Sequence, residues 1–351
     1  MAAPMKWMIY GANGYTGQLA AEEAARRGLK PVLAGRNADA LEALGKRLKL
    51  PVRIFALDNP AAVRAGLKGV GLVLHCAGPF SATSAPMLEG CLAQGAHYLD
   101  ITGEIDVFAH CHAQHARALE RRIVVLPGAG FDVVPTDCLA ALLKRELPEA
   151  TSLVLAFEAA GGPSPGTALT GVEGLGKGGR VRVGGRLQKV PLAWKTRTFD
   201  RDGQPRFAMT IPWGDVYTAH VSTGIPDIEV YMGVSPATAT RLRRMRWLGP
   251  LLGSAPVQAW LKRQVQRRVA GPDAAARQSS EAHVWGEARS ADGREVRAQL
   301  LTPNGYALTV TAALGIVGRL LAEPPAAGGY YTPSQLMGAD YVLGLPGVRR
   351  L

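Results

Sequence analysis

The sequence predicts an α/β protein: a doubly wound parallel sheet, then a second α+β domain of mostly antiparallel strands. Three observations predict it. Short apolar runs alternate with helical patterns from residue 5 to about 130. The first run feeds a glycine-rich turn and then a helix. Beyond about residue 150 the runs lengthen and are separated by hairpin signals, Gly184-Gly185 and Asp292-Gly293, with Asp202-Gly203 marking a turn in a longer loop.

The first strand, Met5–Tyr10, runs into Gly11-Ala-Asn-Gly14-Tyr-Thr-Gly17. The helix that follows, through Arg26-Arg27, closes at Gly28. Strand, glycine turn and helix in this order make a phosphate-binding device. The glycines let backbone approach a pyrophosphate, and the helix N-terminus offers N–H groups and partial positive charge. Gly11, Asn13, Gly14, Tyr15, Thr16 and Gly17 are therefore candidate cofactor-binding residues of a Rossmann-type domain. The second strand, Pro31–Ala34, precedes helix Ala38–Leu48 and ends in Gly35-Arg36-Asn37. A ribose-binding acid is expected there for NAD; Arg36 instead suits the 2′-phosphate of NADP(H).

The remaining parallel strands are expected at Arg53–Ala56, Leu72–Ala77, His97–Asp100 and Ile123–Leu126. Asp58, after the third, either meets the adenine edge or caps helix Pro60–Gly66. Ligands of such sheets lie beyond the carboxyl ends of the strands. That places Ala77, Gly78, Pro79 and Phe80, then Gly103 and Glu104, then Gly130, Phe131 and Asp132 at the expected cofactor edge. Glu104 and Asp132 each read as a general acid, a ribose ligand or a structural carboxylate. Asp137 is expected to cap helix Cys138–Leu147.

Composition bounds the function. Of 351 residues, 47% are hydrophobic and 19% charged, as in an ordinary globular protein of two domains. The first strand starts almost at once and no long uninterrupted apolar run follows. No signal peptide or transmembrane helix is expected, and the setting is cytoplasmic. Cys76, Cys91, Cys111 and Cys138 lack Cys-x-x-Cys spacing and read as reduced, buried thiols. His110, His112 and His115 lie on a predicted helix with no partner motif, so no metal is expected. A net charge of +12 favours anionic partners: the cofactor, an acyl carrier protein or coenzyme A thioester, or a membrane surface. No nucleic-acid motif is visible, and the oligomeric state stays open, a dimer among the options.

In the second domain, strands are expected at Thr151–Ala159, Arg180–Val190, Lys195–Phe199, Phe207–Ile211, Asp227–Met232, Glu281–Ser290 and Arg294–Leu301. A helix begins near Pro165, with Thr167 and Thr170 either facing substrate or capping it. Residues 241–268 carry eight basic residues, two tryptophans (Trp247, Trp260) and no acid. Gly249-Pro250 and Pro256 rule out a spanning helix. The stretch reads either as an interfacial, peripheral membrane or acyl-binding segment, or as two amphipathic helices with solvated Arg rims. Domain limits are therefore 1–135 for the NADP-binding domain, 136–302 for the substrate domain, and 303–351 for C-terminal helices packing back on the first.

None of the tyrosines has Lys four residues later, which sets aside the short-chain dehydrogenase pair. Cys76, expected inside a strand, argues against cysteine thioester chemistry. Gly11-Ala-Asn-Gly-Tyr-Thr-Gly17, Ala34-Gly-Arg36, Cys76-Ala-Gly-Pro-Phe80, Tyr98-Leu-Asp-Ile-Thr-Gly-Glu104 and Gly128-Ala-Gly-Phe-Asp-Val-Val-Pro135 resemble the saccharopine dehydrogenase-like oxidoreductases. Gly166-Thr-Ala, Ile211-Pro-Trp-Gly-Asp215, Ser222-Thr-Gly-Ile-Pro-Asp-Ile-Glu-Val-Tyr231 and Tyr331-Thr-Pro-Ser-Gln335 are similar to its trans-acting enoyl reductase branch. The resemblance implies an NADP(H)-dependent oxidoreductase acting on unsaturated lipid or polyketide acyl chains. Saccharopine carries several carboxylates, yet segments 77–84, 100–104, 128–135, 166–171 and 211–224 hold no Arg or Lys. An apolar thioester-borne substrate fits better. Hydride delivery to its β-carbon leaves an enolate to protonate, and Tyr98, Thr102, Thr167 and Tyr217 are the candidate donors. The alternatives are a saccharopine-type imine or amino-acid reductase and a non-catalytic, lipid-associated NADP-binding protein.

Overall fold

The computed structural model describes residues 5–201 and 203–351. Asp202, half of one expected turn, lies outside them. The chain divides into two units, Met1–Asp132 with Tyr306–Leu336 and Val133–Gly305 with Met337–Leu351.

In the first unit strands alternate with helices: β1 (Trp7–Tyr10), α1 (Tyr15–Arg26), β2 (Val32–Gly35), α2 (Ala38–Leu48), β3 (Val52–Ile54), α3 (Pro60–Gly66), β4 (Leu72–His75), α4 (Phe80–Gln94), β5 (His97–Asp100), α5 (Ile105–Ala113), α6 (His115–Arg121) and β6 (Val124–Leu126). Four-residue runs such as Trp7–Tyr10 and Leu72–His75 are buried throughout. Burial on both faces is what an interior parallel sheet demands, and it explains their unbroken apolar character. Tyr10 pairs with Ala34 on one side and His75 on the other, both in parallel register. The order β6-β5-β4-β1-β2-β3 reverses direction between β4 and β1. A ligand crevice is expected at that reversal, outside the carboxyl ends of the strands.

The second unit runs α7 (Val134–Glu146), β7 (Ala150–Ala159), α8 (Pro165–Gly174), β8 (Gly179–Val183), β9 (Arg186–Val190), β10 (Thr196–Arg201), β11 (Gln204–Thr210), α9 (Asp215–Thr223) and β12 (Asp227–Gly233). There follow α10 (Pro236–Arg244), α11 (Gly249–Leu252), α12 (Ala255–Arg268), α13 (Ala274–Ser279), β13 (Glu281–Ser290) and β14 (Glu295–Pro303). After α14 (Gly305–Ala322), β15 (Gly329–Tyr330) and α15 (Pro333–Met337), the last strand is β16 (Arg349–Arg350). The main path of the second sheet is β10-β11-β12-β7-β13-β14-β16, antiparallel except for β12 beside β7. The hairpin between β8 and β9 turns at Gly184 and Gly185, both with positive φ (56° and 75°), a backbone that glycine adopts without strain. On one face Trp285, Tyr231, Ala156 and Ala208 pack with Phe199. On the other, Gly286 leaves room for Leu139 and Leu143 of α7, where a Cβ would stand 2.6 Å from the Leu143 side chain.

Three sequence expectations change. Asp137 is not a cap: α7 starts earlier, at Val134, and the Asp137 carboxylate inside its first turn accepts a hydrogen bond from Ser222. β4 ends at His75, so Cys76 sits just past the strand. The C-terminal segment is shared between the units. Residues up to Leu336 join the first, where β15 adds a seventh parallel strand beside β6 among the described residues. Residues 337–351 join the second, where Arg349 pairs with Leu301. The helix α14 is long and apolar enough to span a membrane by length and composition, but half of its apolar window is buried within the protein. It is built as a core helix.

Candidate dinucleotide site

At the carboxyl end of β1, the Gly11 and Ala12 N–H groups both donate to the carbonyl of Ala34, and Gly14 N–H donates back to Gly11 O at 2.9 Å. The turn is thus closed on itself; two glycines are spatially required and a third is tightly placed. Gly11 has φ +80°, and a Cβ there would lie 2.8 Å from Ala77. At Gly17 a Cβ would stand 2.1 Å from Gly11 O. At Gly35 it would lie 3.1 Å from the Asn13 side chain. Gly14 is the N-cap of α1, no side chain caps the helix, and its first turn holds no acid. No side chain covers that end of the helix, and the glycine cradle lets an anion come close to it. These residues fit a dinucleotide pyrophosphate.

Arg36 stands exposed at the end of β2 with no ion pair among the described residues. Its neighbour Asn37 is committed elsewhere: it caps α2 by accepting from Ala40 N–H at 3.1 Å. Asp58 is likewise exposed, because Asn59 is the α3 cap, accepting from Ala61 and Ala62 N–H. This corrects the alternative in which Asp58 capped that helix. Arg36 and Asp58 both bear electrostatically on the Tyr10 phenol, whose OH donates to Phe55 O at 3.0 Å. They give this edge one cation and one carboxylate, neither ion-paired among the described residues.

Beyond β4, Ala77, Gly78, Pro79 and Phe80 form the next loop, with a cis bond between Gly78 and Pro79. The Thr83 hydroxyl donates to Ala77 O at 2.6 Å and stands 3.1 Å from His75 Nε2. With the Thr83 proton on Ala77 O, the His75 contact is read as Nε2–H donating. Complete burial pushes His75 down to about 3, so the imidazole is neutral and holds the loop. Burial also pushes the Cys76 thiol up to about 12, which keeps it protonated and poorly nucleophilic.

The carboxylates at this edge divide their tasks. Glu104 accepts from Phe80 N–H and Ser81 N–H, both at 2.9 Å, and so caps α4 from another loop. Asp100 is fully buried; it accepts from the Tyr98 hydroxyl (2.7 Å), Thr102 N–H and Gly128 N–H, tying the ends of β5 and β6 together. Burial raises it to about 6 despite these bonds. Asp132 is raised further, to about 7, first by burial and then by the Glu104 charge. It packs against Gly103, where a Cβ would come within 2.9 Å of Asp132 Oδ2. Gly130 and Phe131 are held from α14: Phe131 N–H donates to Thr309 Oγ1 at 2.9 Å, and a Cβ on Gly130 would meet the Thr309 side chain at 2.8 Å.

The proposed proton donors fall in both units, Tyr98 and Thr102 in the first and Thr167 and Tyr217 in the second. Tyr98 and Thr102 are fully buried: the first donates to Asp100, and the Thr102 hydroxyl accepts Glu104 N–H at 3.0 Å. In this structure both hydroxyls serve the fold. Thr167 is exposed on α8, its hydroxyl 3.1 Å from that of Ser164, the residue that caps the helix. Tyr217 on α9 lies under the Arg182 guanidinium, 5.7 Å from the ring centroid. Arg182 itself is buried, donating to Val216 O and Gly185 O. Its alternating context (Arg180-Val-Arg182-Val) gave no sign of that burial, and Thr309, far from the other loops in sequence, gave no signal at all. The helical histidines are engaged in packing: His112 stacks on Tyr330 at 4.5 Å, and His115 Nδ1 accepts Tyr330 N–H.

A glycine turn opening α1 at the reversal of a parallel sheet defines the first unit as a dinucleotide-binding domain of the doubly wound class. Residues 7–125 match the family described as the saccharopine dehydrogenase NADP-binding domain. Those residues are similar to that NADP-binding domain over about a third of the chain. Similar proteins include a saccharopine dehydrogenase-like oxidoreductase of Mus musculus, 29% identical over 192 residues, covering 49% of this chain and 43% of that protein. A Mycobacterium tuberculosis protein with the provisional name trans-acting enoyl reductase is 30% identical over 190 residues, covering 48% and 43%. The chain thus spans about two fifths of the length of these relatives. Among solved structures, apo saccharopine dehydrogenase (L-Glu forming) of Saccharomyces cerevisiae has a TM-score of 0.65 at 10% identity, covering 99% of this chain and all of that one. That likeness bears out the fold class.

Proposed function

We propose that the protein is an NADP(H)-dependent oxidoreductase that reduces the C=C bond of an unsaturated acyl thioester or related lipid or polyketide intermediate. The observation that carries the reading is the strand-end edge itself. It pairs a phosphate-binding turn and an exposed arginine with loops 77–84, 100–104 and 128–135 that hold carboxylates and no Arg or Lys. A substrate bearing several carboxylates would find no fixed cation in those loops to pair with. A neutral, apolar acyl chain needs none. The name of the Mycobacterium tuberculosis relative points the same way.

When bound, NADPH supplies the hydride. The chain's own residues do the rest. The α1 N-terminus and its glycines receive the pyrophosphate, and Arg36 pairs the 2′-phosphate. Asp132, raised to about 7 by burial, keeps its proton in a large share of molecules near neutral pH, and in this reading it protonates the α-carbon as the enolate forms. Asp100, raised to about 6, lies fully buried inside the sheet, where it ties the ends of β5 and β6 together.

The test is NADPH oxidation against a panel of 2-enoyl thioesters and a panel of imines formed from amino acids and 2-oxo acids. Turnover confined to the thioesters supports the reading. Turnover confined to imines replaces it with the saccharopine-type alternative. NADPH binding without turnover of either leaves a binding protein.

A further inference from the structure

We propose that residues 241–268 form a docking surface for an anionic lipid bilayer. Four of the large apolar side chains exposed on the protein lie in this one run: Trp247 at 90%, Leu251 at 57%, Trp260 at 55% and Leu248 at 48%. A tryptophan nine-tenths exposed is costly to keep in water. The same run contributes eight basic residues and no acid.

The segment is anchored, so its apolar tips are not a frayed piece of core. Arg246 donates to Leu192 O and Ala193 O, both at 2.6 Å, and Arg243 donates to Ala193 O. Lys262 pairs with Glu173 at 2.6 Å, and the Gln258 amide binds Val172 O and Leu252 O. Those three cations hold the segment down. The other five (Arg241, Arg244, Arg263, Arg267, Arg268) are exposed and have no ion pair among the described residues. On α12, Trp260, Arg263 and Arg267 stand three and four residues apart and so share a face.

Tryptophan and leucine tips among arginines match the boundary between acyl chains and anionic headgroups. Breaks between α10, α11 and α12 keep the segment from spanning and let it lie in the plane. A bilayer also accepts protruding side chains without a matching cavity. An acidic carrier protein would satisfy the arginines but has to supply a separate pocket for each tip, so charge and shape together favour lipid.

The full chain is tested by co-sedimentation with phosphatidylcholine vesicles containing phosphatidylglycerol, against phosphatidylcholine alone, across a salt titration. Binding should need the anionic lipid and weaken with salt. W247S/L251S should weaken it at least about tenfold, since each side chain gives up its burial in lipid. R263E/R267E should weaken it more than twentyfold, at about fivefold per lost cation before repulsion is added. Unchanged thermal melting and NADPH affinity certify that these variants fold. Three results overturn the proposal. One is absence of binding. A second is binding indifferent to W247S/L251S, which is the generic pull of a +12 chain. The third is capture of the same tips by a second copy or an acyl carrier protein in place of vesicles.

Discussion

In the proposed reaction, Arg36 and Asp132 carry most of the chemical weight. Arg36 sits where a ribose-binding acid would mark NAD, and among the described residues its guanidinium has no ion pair. Replacing it by alanine should therefore cost cofactor affinity and little stability. A charge-assisted hydrogen bond is worth roughly 1.5–3 kcal/mol, so R36A should raise the NADPH Kd by about 10- to 100-fold. The NADH Kd should move less than about threefold. Equal losses for both cofactors, by calorimetric or fluorescence titration, would detach Arg36 from the 2′-phosphate.

Asp132 makes a prediction in pH. Its folded-state pKa of about 7 lies above the usual 3.8, so the native protein binds the extra proton between those values. Stability falls as pH rises through that window, in contrast to an ion-paired carboxylate. D132N should raise the melting temperature at pH 8 relative to pH 5. In catalysis, loss of the Asp132 proton should bring kcat/KM down above about pH 7. The isosteric asparagine should abolish that limb and lower kcat by about 10²- to 10⁴-fold, the usual span for a general acid. A limb that survives in D132N assigns the proton to another group.

At the scale of elements, the glycine turn leaves least freedom. A Cβ at Gly17 would lie 2.1 Å from the Gly11 carbonyl, a backbone atom that cannot swing aside as a side chain would. Overpacking of that kind costs on the order of 1–3 kcal/mol, and relief by opening the turn would remove the anion cradle. G17A should thus melt lower and lose measurable NADPH binding; a variant that binds normally would refute the cradle. This turn was legible because its glycines and its neighbours in sequence are the same residues that meet in space. The α2 helix was legible for a similar local reason, since Asn37 beside it in sequence caps it. Asp137 and Arg182 were not. Each is explained by a partner, Ser222 or Val216, that lies 85 or 34 residues away, and no local pattern encodes such a meeting.

For the whole molecule, alternating apolar runs announced the parallel sheet, and double-glycine and Asp-Gly signals announced the antiparallel one. The ends of the chain were harder. A two-residue strand such as Gly329–Tyr330 has no period to detect, and its pairing with β6 depends on close approach at Gly328, where a Cβ would meet Ile123 backbone at 2.7 Å. The division of residues 303–351 between two units follows from such tertiary contacts. The site was legible as a cofactor edge and illegible as chemistry, because the proton donors proposed from hydroxyl chemistry at Tyr98 and Thr102 turn out to be buried supports of the Asp100 and Glu104 loops.

The central claim, that this edge passes hydride from NADPH to a carbon–carbon double bond, is tested most directly with NADPH carrying deuterium at the nicotinamide C4 position. Incubated with a 2-enoyl thioester, the protein should yield a saturated thioester with one deuterium on its β-carbon, found by mass spectrometry and fixed in position by NMR. Deuterium appearing instead on the carbon of a newly formed amine, with the enoyl thioester returned unchanged, would contradict the account.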